Sequence, residues 1–258
     1  MRAYPIDFPT AYGRLRFALE LPDGDIGLAA FGRAALPIGE ALSELMSAAY
    51  ARAGKPATCH KGCAACCRQE VPISVPEALA LTEFTATLSA DRLAGVKARY
   101  EAIRAHVRAE AATGASSADA RVRGLQWVKA YLPCPFLENE TCGAREHRPI
   151  ACRNHMAWSA PEHCSYPEDG AVKALNPRFS LGTVLALITA EFCGEDPLKF
   201  PMGALEDWTA QNPGYGERRF PAEALASRFL GLLEEFCLRS LPAPKAAPMP
   251  AASAATSP

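Results

Sequence analysis

The stretch Cys59-His60-Lys61-Gly62-Cys63-Ala64-Ala65-Cys66-Cys67 holds four of the chain's ten cysteines. Were it helical, all four thiols would lie within roughly a 100° arc, since each residue turns by about 100°. Thiolates that close repel one another unless a cation or a cluster sits among them. A metal ion, an iron–sulfur cluster or disulfides are therefore the outcomes such an array serves. One or two cysteines would pass as small core residues, but four in nine positions do not.

Reading outward, Leu42, Leu45, Met46 and Ala49 recur at helical spacing from Ile38 to Arg52, and Gly54 stops that run. On the other side Val71-Pro72-Ile73 is extended. Ser74-Val75-Pro76-Glu77 then has the form of a capping box with an early proline, opening a helix to about Leu88. A second helix is expected over Arg92 to Ala112 with Asp91 as N-cap, the two forming a helical hairpin. The small polar run from Thr113 to Ala120 reads as an exposed connection.

A second informative region follows: Leu132-Pro133-Cys134-Pro135-Phe136-Leu137, Cys142, Arg148-Pro149, Cys152-Arg153, His155, His163 and Cys164. Its prolines, glycines and short spacings predict a loop-rich segment that something other than regular backbone pairing must fix, and a metal site would do so.

Toward the N-terminus, Leu15, Phe17, Leu19 and Leu21 alternate with Arg14, Arg16 and Glu20, the pattern of a half-buried strand. Pro22-Asp23-Gly24 supplies turn chemistry, so Ile26 to Ala30 is expected to return as the hairpin partner, with Gly27 and Gly32 read as turn residues. Toward the C-terminus, Ser180 to Phe192 and Pro221 to Leu241 have helical apolar spacing. In the latter, Leu225, Phe229, Leu232, Leu233 and Phe236 form a stripe read as core. The fold expected is mainly α: an N-terminal strand and hairpin segment over 1–35, a helical cysteine-cluster metal-binding domain over 36–241 with its loop-rich, metal-pinned segment, and a disordered tail over 242–258.

The 258 residues are 49% hydrophobic, enough for a core without disulfides, and 27 basic against 28 acidic residues give a net charge of −1. Neither nucleic acid nor an anionic membrane is implied as a partner. The first residues lack the continuous apolar run of a signal peptide, and no stretch reaches the roughly 18 apolar residues of a membrane span. A soluble cytoplasmic protein is expected, and in that reducing compartment a cysteine array serves metal binding rather than disulfides.

Setting aside Cys193 and Cys237, each alone in an expected helix, eight cysteines remain as metal-ligand candidates: Cys59, Cys63, Cys66, Cys67, Cys134, Cys142, Cys152 and Cys164. Each tetrad can complete a tetrahedral sulfur site, or both can converge on one centre. A zinc ribbon would show two short Cys-x2-Cys pairs, which the spread-out second set lacks. A short motif plus remote cysteines, and a proline directly after Cys134, suit iron–sulfur ligation. Arg148 and Arg153 flank Cys152 and are candidates to offset the charge of a thiolate-bound centre. His155 and His163 can each stand in for a thiolate; His60, His106 and His147 read as surface residues. Cys59-x3-Cys63-x2-Cys66 also has radical S-adenosylmethionine spacing, but that motif follows the first strand of an alternating barrel, and helices follow here.

Taken in order, Cys59-x3-Cys63-x2-Cys66-Cys67, Cys134-Pro135-Phe136-Leu137, Cys142, Arg148-Pro149 and Cys152-Arg153 resemble the YkgJ-type cysteine cluster family, over about residues 55 to 165. The family often carries an Ile-Tyr pair where this chain has Ala144-Arg145. The resemblance implies a zinc- or iron-chelating domain. It also implies a distant relation to the flagellin lysine N-methylases, linked to iron–sulfur and S-adenosylmethionine-dependent modification of protein lysines. No Rossmann-type S-adenosylmethionine fingerprint is present. The expected function is a cysteine-ligated iron or iron–sulfur protein supporting redox chemistry or modification of a protein or peptide. The alternatives are an S-adenosylmethionine-dependent methylase-like enzyme, and a structural zinc protein or metal chaperone.

Overall fold

The N-terminal hairpin sets the frame on which the rest packs. In the computed structural model, which describes residues 1–113, 120–165 and 170–242, β1 (Arg2–Thr10) and β2 (Gly13–Leu21) pair antiparallel from Arg2↔Leu21 to Thr10↔Gly13. The strand expected from alternation is thus present, but its partner precedes it. Ala11 and Tyr12 make the turn, and Pro22-Asp23-Gly24 leads instead into β3 (Asp25–Gly27), which pairs with the remote β10 (Arg219–Pro221). Leu15, Leu19 and Leu21 are buried, whereas Phe17 on the same face stays 37% exposed.

The helix expected from Ile38 begins ten residues earlier, as α1 (Leu28–Arg52) with Pro37 in its interior. Residues 28–30 belong to this helix rather than to a strand. Gly32 is no turn residue: it is buried within α1, and a Cβ there would stand 2.4 Å from the backbone oxygen of Pro76. That absence of a side chain lets α1 lie directly against the start of α2 (Val75–Ala86). At its other end α1 closes with Gly54 at φ +75°, the Gly54 N–H bonded to the Ala51 carbonyl and the Lys55 N–H to that of Tyr50. This is the double bond of a Schellman motif, and it delivers the chain into the cysteine segment.

β4 (Pro72–Ser74) pairs with β9 (Lys199–Pro201), and the capping box opens α2 as expected: the Ser74 N–H donates to Glu77 Oε2 at 2.8 Å. α3 (Ala90–Thr113) follows; the connection expected over 113–120 lies almost wholly outside the described residues, as does nearly all of the tail. Next come α4 (Ala120–Ala130), the two-residue strands β5 (Leu137–Glu138) and β6 (Thr141–Cys142), α5 (Ile150–Asn154), and the short pair β7 (Met156–Ala157) and β8 (Ala174–Leu175). α6 (Leu181–Cys193), β9, α7 (Leu205–Gln211), α8 (Gly214–Glu217), β10 and α9 (Ala222–Ser240) complete the described chain. The protein is mainly α with short antiparallel strand pairs, and among the described residues no helix is long and apolar enough to cross a membrane.

Two clusters of buried side chains hold these elements. The larger joins Ile6, Leu15 and Leu19 of the hairpin to Phe31 and Ile38 of α1, Val184 and Ile188 of α6, and Leu225, Phe229 and Leu233 of α9. Phe31 and Phe229 meet edge to face at 5.5 Å, and each fully buried large apolar side chain contributes about 1.5–3 kcal/mol. The α9 stripe is therefore core, as its spacing predicts. The smaller cluster, with Ile73, Leu81, Tyr100 and Phe200, lies beneath α2 and α3 and reaches Phe136 and Ala144 of the cysteine-bearing region.

Candidate metal centre

The Cys59–Cys67 segment is not helical. It is a series of tight turns in which the Cys63 N–H bonds to the His60 carbonyl, the Cys67 N–H to Ala64, and the Gln69 N–H to Cys66. Glycine and small alanines permit these turns, with Gly62 at φ +91°. The common face is therefore made by packing against other segments rather than by helical periodicity.

Two of the later cysteines, Cys134 and Cys164, are tied to this loop through their backbone. The Cys134 N–H bonds to the Cys67 carbonyl at 2.7 Å, and Gln69 Nε2 donates to the Cys164 carbonyl at 2.9 Å. Thr58 bonds through N–H and hydroxyl to the Ala157 carbonyl, and its hydroxyl reaches Ser159 at 2.6 Å. Cys142 sits opposite Leu137 in the β5–β6 hairpin, whose two-residue turn puts Asn139 and Glu140 at φ +49° and +54°. Positive φ is costly for glutamate, and the Glu140 carboxylate is clamped by Arg68 through two hydrogen bonds of 3.0 and 2.5 Å. Arg68 itself sits over the Tyr131 ring at 4.6 Å. The hairpin carrying Cys142 is thereby bound to the residue next to Cys67.

Cys152 is positioned by α5, whose N-terminus depends on an acid from elsewhere. Glu77, 3% exposed, accepts at Oε2 from Ser74 and at Oε1 from the Ile150 N–H at 2.7 Å. One carboxylate thus caps α2 and α5 together. Sequence reading finds Glu77 as a capping-box residue and misses this second role, because nothing in the sequence marks which distant N–H it serves.

The sulfurs form one electrostatic neighbourhood with Cys66 at its hub. Burial pushes the thiols of Cys59, Cys134, Cys142, Cys152 and Cys164 up, Cys134 to about 12 and Cys164 to about 11, and in each of these five the Cys66 sulfur raises it further. Cys66 is raised by the adjoining Cys67 sulfur and then by burial. Backbone donors oppose these effects. The Ala157 N–H stands 3.5 Å from Cys59 Sγ, the Phe136 N–H serves Cys134 and the Ala144 N–H serves Cys142. Such donors favour the thiolate.

Of the two arginines, Arg148 lowers the thiol pKa values at Cys66, Cys142 and Cys152, the influence expected of a charge-offsetting neighbour. Arg153, 8% exposed, is used otherwise: it donates to Glu40, to the Arg148 carbonyl at 2.9 Å and to the Glu146 carbonyl at 2.8 Å. It positions Arg148. Its partner Glu40 carries no sequence signal beyond being an acid on a helix.

A cavity of about 280 Å³ opens onto this group, walled by Cys59, Cys63, Cys66 and Cys152 together with Arg148 and His155. His163 is exposed, and His60 is exposed with Nδ1 3.2 Å from the Thr58 carbonyl oxygen. His147 and His106, expected at the surface, are each partly buried. The first stacks on Phe84 at 4.2 Å and the second meets Trp127 edge-on. Cys237 is fully buried in the larger core, and Cys193 is half-buried at the end of α6.

All ten cysteines are free thiols, and among the described residues no three His, Cys, Asp or Glu side chains already surround a single point at metal-binding distance. The donor set nevertheless suits a thiophilic metal: soft sulfurs from five separate stretches of chain, backbone N–H groups directed at three of them, and an arginine beside three. No protein-family model, curated protein or solved structure matches this chain.

Proposed function

We propose that the chain is a cysteine-ligated iron or iron–sulfur protein of the reducing cytoplasm, whose centre supports redox chemistry or the modification of a protein or peptide. The observation that carries this reading is the pairing of clustered thiols with N–H donors. Ala157, Phe136 and Ala144 spend backbone donors on Cys59, Cys134 and Cys142, which favours thiolates that would repel Cys66 and one another without a cation among them. The motif order that resembles the YkgJ-type family supports the same reading. Cys59, Cys63, Cys66, Cys67, Cys134, Cys142, Cys152 and Cys164 are the proposed ligand pool.

A centre held there would supply one-electron transfer at a potential set by sulfur ligation, hydrogen bonds and exposure. The chain's own contribution is separable from it. Glu77 fixes α5 and so Cys152, Arg153 holds the Arg148 backbone, and Arg148 places positive charge beside Cys66, Cys142 and Cys152. The cavity gives a small group access to the thiol wall, Cys152 included.

Metal and acid-labile sulfide analysis of protein purified without oxygen, with an ultraviolet–visible spectrum, tests the proposal. Iron with sulfide and a brown shoulder near roughly 400 nm is the expected result. Iron without sulfide points to a mononuclear or multinuclear iron site. Stoichiometric zinc without colour sinks the iron reading and leaves a structural zinc protein.

A further inference from the structure

Most buried polar side-chain atoms in a folded protein have a partner, and one left without is destabilising. On the wall of the cysteine cavity His155 is such a case: its Nε2 is sealed from solvent and has no hydrogen-bond partner. The residue is not loosely placed. Its N–H bonds to the Ala151 carbonyl at 3.0 Å, which fixes it at the C-terminal end of α5, one turn beyond Cys152. Asn154 beside it accepts a hydrogen bond from Ser43 at 2.9 Å, anchoring this turn to α1. The residue as a whole lines the space shared with Cys59, Cys63, Cys66 and Cys152, and its unpartnered Nε2 lies sealed in the wall of that space.

We infer that His155 is a nitrogen ligand of the metal centre through Nε2, so that the site is a mixed cysteine–histidine one. This rests on the preceding reading that the thiol wall holds a metal. Neither other histidine of this region has the same standing. His163, though next to Cys164, is exposed and does not line the cavity, and His60 lines it but is exposed with Nδ1 beside a carbonyl. Each cysteine turns its sulfur about a single torsion, so moving sulfurs from the wall toward Nε2 asks little of the backbone. Exchanging a thiolate for an imidazole removes one negative charge from the centre and moves its potential in the positive direction, as histidine ligation does in iron–sulfur proteins.

Cobalt(II) is the probe, loaded anaerobically into the full-length chain and into His155→Ala, His155→Gln and His163→Ala variants. Wild type is expected to show thiolate-to-cobalt charge transfer and a set of d–d bands. His155→Ala should keep the charge transfer, shift the d–d bands and lose at least about tenfold in cobalt affinity. His163→Ala should match wild type. Should the alanine variant not fold, the length-matched glutamine is read in its place. Unchanged d–d bands and affinity in the His155 variants, with charge transfer intact, overturn the histidine ligand while the thiolate centre stands. A wild-type chain without thiolate-to-cobalt charge transfer overturns both.

Discussion

The core beneath the hairpin and the cysteine quarter are built on opposite terms, and Cys237 and Cys66 show how. Cys237 is fully buried among apolar side chains of α9 and the hairpin, and it acts as a small hydrophobe. Cys66 is only partly buried, surrounded by sulfurs, an arginine and backbone donors, in a run of tight turns. The first region gains its stability by removing apolar surface from water; the second has little apolar surface to remove. Identical side chains acquire different chemistry from their neighbours alone.

Phe229→Ala should separate the two regions most sharply. Removing a fully buried ring packed on Phe31 is expected to cost about 3–5 kcal/mol in chemical denaturation. Metal bound per folded molecule should not change, and a parallel loss of metal would show that the two regions are one cooperative unit. Glu77→Gln sits at their junction, where it puts an amide donor among three donors that need an acceptor. A loss of about 1–3 kcal/mol is expected, together with weaker metal uptake because the cap at Ile150 orients Cys152. Full uptake in this variant would remove Glu77 from the site's support.

The smallest effect vanishes at neutral pH. Burial raises the Cys237 thiol from 9.0 to about 11, so on alkaline titration the unfolded chain gives up this proton before the folded one does. Unfolding free energy must then fall as pH rises from about 9 towards 11. Cys237→Ala is expected to make that decline shallower; an unaltered slope would mean the folded thiol ionises as readily as the unfolded one.

Elements governed by local chemistry were legible in the residues. The Ser74–Glu77 capping box, the Gly54 stop and the α9 stripe all stand where their own residue types place them. Pairing was not. Pro22-Asp23-Gly24 is the better turn sequence, yet the hairpin turns at Ala11-Tyr12, because β1 and β2 bury Ile6, Leu15 and Leu19 against α1 and α9, which no local signal reveals. Gly32 reads as a turn residue but lies inside α1, where close contact with α2 outweighs its intrinsic cost in a helix. At the site, the candidate cysteines could be picked out from their clustering, whereas Glu77, Glu40 and the isolation of His155 Nε2 depend on which distant groups come near.

The larger core joins residue 6 to residue 237. On a ribosome it cannot close until α9 has emerged, whereas all eight candidate ligands have left by Cys164. At about 5–20 residues per second, the stretch from Cys164 to Ser240 takes roughly 4 to 15 s to make. During that interval the hairpin and α1 wait for the helix that completes their core. The order of synthesis thus completes the whole set of candidate cysteines before the larger core can close.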